Sequence, residues 1–162
     1  MIGGKVLGTD EIQNEIREKV SGQISVKGEG QDRYRVFTPF KFNDGDHLAI
    51  VLKKIGNSWL LTDEGHTLMH LTYEIDEKDL RKGNRARIIS DALAGFGVED
   101  SNGEFSVAVN DVQFGNALFS FVQALLKVTD ITFLKRERIK AVFQEDFRTF
   151  LSEQVPANRS NR

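Results

Sequence analysis

The fold is decided by residues 34–62, YRVFTPFKFNDGDHLAIVLKKIGNSWLLT. Apolar and polar side chains alternate over 34–42 and again over 47–55, which is the period of a half-buried β-strand. Between them, Asn43–Asp46 favours a tight hairpin turn, because Asn and Asp tolerate a positive φ and Gly adopts it freely. A second turn at Gly56–Asn57 leads into a third strand, which closes the segment. We therefore predict a three-stranded antiparallel meander.

Helical patterns flank this meander on both sides. Ile12, Ile16 and Val20 recur every four residues, which places them on one face of a helix over 10–20. Beyond the meander the patterns predict a short helix, a second helix, a hairpin, a long apolar helix and a last helix, in the order 66–74, 76–96, 98–109, 111–130 and 135–151.

These elements predict an α+β fold, with a twisted antiparallel sheet of four or five strands and helices packed mainly on one face. Residues 1–134 are expected to form a single domain. Residues 135–162 add a C-terminal helix, packed on the same domain, and a polar tail expected to be disordered.

The long helix, which Asp111 is expected to cap, is apolar on two faces. One stripe holds Phe114 and Phe121, and the other holds Phe119 and Phe133. Such a helix is either central to its own domain or half of a subunit interface, so a homodimer is one of our expectations. The last helix is predicted to turn three phenylalanines inward, Phe143, Phe147 and Phe150.

Composition excludes several classes of protein. The chain has 162 residues, 22 basic and 24 acidic groups, a net charge of −2 and no cysteine. This near-neutral balance is not that of a protein that binds nucleic acid through bulk charge, and disulfides, thiolate catalysis and cysteine-ligated zinc are excluded. No run approaches the roughly 18 apolar residues of a membrane span, and no secretory signal is evident. We expect a cytoplasmic protein without a membrane partner.

The sharpest candidate site lies in Asp63–His70. His66 and His70 are four residues apart, so both lie on one face of a helix, where imidazoles can share a divalent metal. Asp63 is the carboxylate that we expect to complete this metal site. The alternative, which we favour, is that Asp63 caps the helix and the histidines are partly exposed polar residues.

Four carboxylates lie at predicted strand ends, Asp44, Asp46, Asp63 and Glu64. Paired acids with a nearby lysine, such as Lys53, are what Mg²⁺-dependent nucleases use to hold the ion and position water. The same acids are common in turns and helix caps, and as surface groups they could face a protein partner with a basic groove.

Two basic runs are candidates for phosphate contact. The first holds Arg81, Lys82, Arg85 and Arg87, and the second holds Lys135, Arg136 and Arg138. The alternative for both is a solvated helix face, because acidic residues dilute the second run.

The chain resembles a bacterial and phage family known as the domain of unknown function DUF1828 over about residues 33–132. The motifs that carry the resemblance are Thr38-Pro39-Phe40, Asp44-Gly45-Asp46-His47-Leu48, Leu60-Leu61-Thr62-Asp63-Glu64-Gly65-His66-Thr67, Gly97-Val98, Gly103-Glu104-Phe105 and the Phe-rich helix over 111–130. The resemblance implies a mixed α and β domain often found in prophages or mobile elements, and it brings no catalytic residues.

The leading expectation is a non-enzymatic protein-binding module, associated with phages or mobile elements. It would inhibit or regulate a bacterial defence or host complex by steric occupation. No residue is assigned a catalytic role and no cofactor is expected, apart from the possible divalent metal. The alternatives are a metal-dependent hydrolase or nuclease that uses the acids and histidines of residues 44–70, and a nucleic-acid-binding regulator.

Overall fold

A computed structural model describes residues 3–134 and 136–154, with the backbone alone for 136–139. Six strands form one sheet, all neighbours antiparallel, in the order β1-β2-β3-β4-β6-β5. The strands are β1 Ser25–Gly28, β2 Arg33–Phe37, β3 Ile50–Ile55, β4 Ser58–Thr62, β5 Glu99–Ser101 and β6 Glu104–Val109. The helices are α1 Thr9–Ser21, α2 His66–Thr72, α3 Glu77–Leu80, α4 Gly83–Ala94, α5 Phe114–Thr129, a 3₁₀ turn Asp130–Leu134 and α6 Arg136–Gln154.

The α+β class and the meander β2-β3-β4 are confirmed, but the sheet has six strands and not four or five. The predicted strand over 34–42 ends at Phe37, because β2 is paired on both sides and Pro39 has no N–H to donate to a ladder. The hairpin resumes beyond the break, where the Phe42 N–H donates to Asp46 O at 2.7 Å.

The core lies between one face of the sheet and helices α2 to α5. Alternation along the strands turns Ile50, Leu61 and Phe105 to this face, where they meet Phe121 and Leu125 of α5. All five side chains are almost completely buried. The prediction that helices pack mainly on one face is therefore confirmed.

Two helix boundaries differ from the prediction. The helix predicted from Asp76 is broken into α3 and α4 at Gly83, whose φ of +57° is left-handed. Asp111 does not cap α5: Asp111 and Val112 both have a positive φ, and the helix begins at Phe114. Sequence spacing alone does not show such backbone reversals.

Helix α5 is the central helix of the domain. With the 3₁₀ turn, residues Phe114–Leu134 are the one described helix that is long and apolar enough to cross a membrane by length and composition, so the prediction that no segment reaches this length is wrong. Half of its apolar window is buried, and Phe121, Ala124 and Leu125 are inaccessible to solvent. A core helix has these same properties. Phe121 of the first predicted stripe lies on this buried face, but Phe114 of the same stripe is 36% exposed. Phe119 of the second stripe is 53% exposed.

Candidate functional site

The strand-to-helix junction after β4 is built around the carboxylate of Asp63. This residue is completely buried, and its two oxygens accept three backbone N–H bonds. Gly65 and Phe105 donate to Oδ1 at 2.9 and 2.8 Å, and Thr67 donates to Oδ2 at 3.0 Å. Asp63 therefore joins the first turn of α2 to strand β6, which lies 42 residues further along the chain. The interpretation of Asp63 as a helix cap is supported, and we call this arrangement the Asp63 staple.

Burial raises the pKa of the Asp63 carboxyl above its ordinary value, and the N–H donors from Gly65, Thr67 and Phe105 oppose that shift. A completely buried group with its oxygens engaged by backbone amides cannot face a partner protein, so we remove Asp63 from the predicted binding acids. Because these amides engage both carboxylate oxygens of Asp63, neither oxygen is free to join the histidines in a metal site.

Glu64 points to the opposite face of the sheet, into a row of charges. Its carboxylate accepts from Arg33 Nη2 at 2.5 Å and lies 3.0 Å from Lys53 Nζ. Arg33 and Arg35 also pair with Glu29, at 3.7 and 2.7 Å. The hydrogen bond from Arg35 lowers the pKa of Glu29. The lysine predicted for a nuclease site is thus used to neutralise Glu64, and Asp63 faces the other side of the chain.

The two predicted metal-binding histidines have different partners. His66 Nδ1 lies 3.0 Å from the carbonyl oxygen of Asp63, a contact within its own helix turn. His70 Nδ1 donates to Asp44 Oδ2 at 2.7 Å, and its ring stacks on Phe42 with centroids 3.9 Å apart. Over 3–134 and 136–154, Asp44, Asp46 and His70 are the one trio of metal-ligand side chains whose ligand atoms lie within 4.8 Å of one another. The predicted trio of His66, His70 and Asp63 is not brought together.

Asp44 therefore takes the place of Asp63 as the carboxylate of the candidate metal site. The Asp46 N–H, donated at 3.0 Å, and then the His70 imidazole lower the pKa of the Asp44 carboxyl. Carboxylates and imidazole are a donor set that divalent transition metals accept. Asp44 and Asp46 are both exposed. The bond between them also stabilises an ordinary turn, and the bond from His70 connects the β2–β3 hairpin to α2.

The first basic run is partly used to hold the fold. Arg81 pairs with Asp100 at 2.7 Å, and Arg85 Nη2 donates to the carbonyl oxygen of Leu134 at 2.6 Å. Lys82 and Arg87 are exposed and line a concavity of about 620 Å³ with Arg85. Of the second run, Lys135 and the side chains of Arg136 and Arg138 lie outside the described residues.

The terminal helices present the feature that the sequence did not reveal. In α1 no residue is buried, and Ile12, Ile16 and Val20 are 46%, 54% and 50% exposed. In α6 every described side chain is exposed. The exposed apolar side chains of α6 are Val142, Phe143, Phe147, Phe150 and Leu151.

The prediction that these phenylalanines turn inward is wrong for the single chain. Hydrophobic periodicity identifies which residues share a face of a helix, but it does not say what that face meets. The signal available in the sequence was the position of α6 at the end of the chain, because a terminal helix has few core residues to pack against.

A family model described as Domain of unknown function DUF1828 matches residues 38–128, more than half of the chain. No curated protein and no solved structure matches the chain. The matched region spans β3 to α5 and includes neither α1 nor α6.

Proposed function

The chain belongs to the DUF1828 family, and on that premise we propose that it is a non-catalytic protein-binding module whose helix α1 docks in an apolar groove of another protein. The observation that carries the proposal is the exposed stripe of Ile12, Ile16 and Val20 on a helix with no buried residue. An amphipathic helix that fits a groove presents anchors at this four-residue spacing.

The charges beside the stripe define the chemistry of the partner. Residues 9–21 hold four carboxylates, Asp10, Glu11, Glu15 and Glu18, against two cations, Arg17 and Lys19. A groove that is apolar at its base and basic at its rim complements this helix, and complementary charge favours both the rate and the specificity of association. Each of the three anchors offers about 1 kcal/mol on burial of its exposed half, since full burial of such a side chain contributes about 1.5–3 kcal/mol.

The predicted acidic surface contributes less than we expected. Of Asp44, Asp46, Asp63 and Glu64, Asp63 is buried, Glu64 is neutralised by Arg33 and Lys53, and Asp44 is paired with His70. Asp46 remains as an exposed acid. Steric occupation by α1 therefore replaces pairing of these acids with a basic groove as the proposed means of inhibition, and a bacterial defence or host complex remains the proposed target class.

The test is site-specific photocrosslinking in the bacterial host. A photoreactive phenylalanine analogue at Ile16 should give a discrete adduct with one host protein, and the same analogue at Asn14, on the polar side of α1, should not. The affinity of that protein for the chain should fall at least tenfold in Ile16→Asp and stay unchanged in Asn14→Asp. Equal labelling at both positions, or equal affinity of the two variants, would refute docking by α1.

A metal-dependent hydrolase is the second candidate, and the trio of Asp44, Asp46 and His70 is the observation that favours it. A bound divalent ion stabilises the folded state by an amount that grows with the logarithm of its concentration above the dissociation constant. Zinc and manganese should then raise the melting temperature of the parent chain but not of a variant with Asp44→Asn and His70→Ala. If neither metal raises the melting temperature of the parent chain, this candidate is refuted.

A further inference from the structure

Helix α6 carries an exposed aromatic stripe outside the matched family region. Phe143, Phe147 and Phe150 follow a four- and three-residue spacing, which places them on one face. The rings of Phe143 and Phe147 are stacked, with centroids 6.3 Å apart and planes 7° apart.

We propose that α6 of one copy packs against α6 of a second copy, with the two helices antiparallel. Residues 136–140 hold three cations and one carboxylate, whereas residues 145–153 hold three carboxylates and one cation. Antiparallel pairing sets the basic end of each helix beside the acidic end of the other. Parallel pairing sets like charges together, which is destabilising, and it also aligns the two helix dipoles unfavourably.

The register follows from the apolar residues. With the two-fold axis near residue 145, Phe143 of each copy lies opposite Phe147 of the other. Phe150 then lies opposite the aliphatic stem of Lys140. Glu153 lies at the level of residues 136–138, two arginines and one glutamate, whose net charge is +1. The aromatic contacts and the charge pairing are thus satisfied by the same alignment.

The area is sufficient for a modest dimer. The three phenylalanines are 69%, 52% and 55% exposed, and Val142 and Leu151 add 57% and 45%. Because a phenylalanine buries about 150–250 Å² in full, the stripe offers about 500 Å² per copy, or about 1,000 Å² in the pair. This is at the threshold of a specific interface, so we expect a reversible dimer whose population depends on concentration.

The first test measures mass over a concentration series by light scattering and sedimentation. The chain should approach about 37 kDa, twice its 18.3 kDa mass. Phe147→Asp should weaken the dimer at least tenfold. Ser152→Asp, which adds the same charge on the opposite side of α6, should dissociate like the parent, and far-ultraviolet circular dichroism should show all three chains equally folded. A parent chain that stays monomeric, or a Phe147→Asp variant that associates like the parent, refutes the proposal.

The second test determines orientation. The chain has no cysteine, so a single introduced thiol is unique. A mixture of Lys140→Cys and Leu151→Cys should oxidise mainly to the mixed disulfide, since antiparallel pairing brings these positions together. Parallel pairing separates them by about 16 Å along the axis at 1.5 Å per residue, and would give like-with-like disulfides instead. That outcome overturns the antiparallel arrangement, and neither experiment depends on docking by α1.

Discussion

Replacing Asp63 by alanine should be among the most destabilising single changes in this chain. The carboxylate is completely buried and accepts the N–H groups of Gly65, Thr67 and Phe105. Alanine leaves all three donors without a partner, and each unsatisfied buried donor costs about 1–3 kcal/mol. Allowing for partial relaxation and access of water, we expect a loss of about 4 kcal/mol in the free energy of unfolding, out of a total of about 5–15 kcal/mol.

Asparagine at the same position separates the hydrogen bonds from the charge. Its single carbonyl oxygen can keep the two N–H bonds that Oδ1 accepts, from Gly65 and Phe105. Its amide nitrogen then faces the N–H of Thr67, so that N–H loses its acceptor and two donors oppose each other. We expect Asp63→Asn to cost about 2 kcal/mol, roughly half the cost of alanine.

Urea unfolding measures both values, provided that the slope with denaturant stays constant between variants. The matched control is Asp46→Asn, which removes an exposed acid from the neighbouring hairpin and should change stability by less than about 0.5 kcal/mol. Amide exchange should also speed up at Phe105 in Asp63→Ala, where that N–H loses its acceptor. An Asp63→Ala variant within 1 kcal/mol of the parent, or an unchanged Phe105 amide, would show that this carboxylate does not join β6 to α2.

Three further outcomes are expected. Gly103→Ala should destabilise the chain by about 1–3 kcal/mol in thermal unfolding, because its φ is +94° and a Cβ would lie 2.7 Å from Leu68 Cδ2; an unchanged melting temperature contradicts this. The backbone N–H of Asp46 and then His70 lower the pKa of the Asp44 carboxyl. The contribution of this carboxylate to stability is therefore present above the ordinary Asp pKa of about 3.9, and it is lost as the pH falls below that value. The stability gap between the parent and Asp44→Asn, from urea titrations at several pH values, should therefore narrow in acid, and a gap that widens refutes the pairing. Leu125→Ala, at a position with no exposed area, should cost about 2–5 kcal/mol by urea unfolding, and a cost below 1 kcal/mol would place α5 outside the core.

Local patterns predicted the elements well where the chain is regular. The alternation through β2, β3 and β4 and the spacing of Ile12, Ile16 and Val20 each define a strand or helix face from neighbouring residues alone. The two errors in helix boundaries fall where the backbone reverses, at Gly83 and Asp111, because left-handed residues leave little trace in apolar spacing.

The site was harder to predict because its contacts join distant residues. Asp63 was recognised as a possible cap, yet its bond to Phe105 depends on β6 lying beside β4. His70 was paired in our prediction with His66, its neighbour on the helix, whereas its actual partner Asp44 lies 26 residues earlier in the chain. Spacing along one helix cannot reveal a ligand that a separate hairpin supplies.

The Asp63 staple also determines where the chain can tolerate changes in length. The chain leaves the sheet after β4, runs through α2, α3 and α4, and returns to the sheet in the β5-β6 hairpin. The carboxylate of Asp63 holds both the start of this excursion and strand β6, which pairs with β4. Helices α3 and α4 lie inside that excursion, away from the pairing of β4 with β6. We expect insertions and deletions among related chains to accumulate in this excursion, since its length can vary without shifting the register of a single strand.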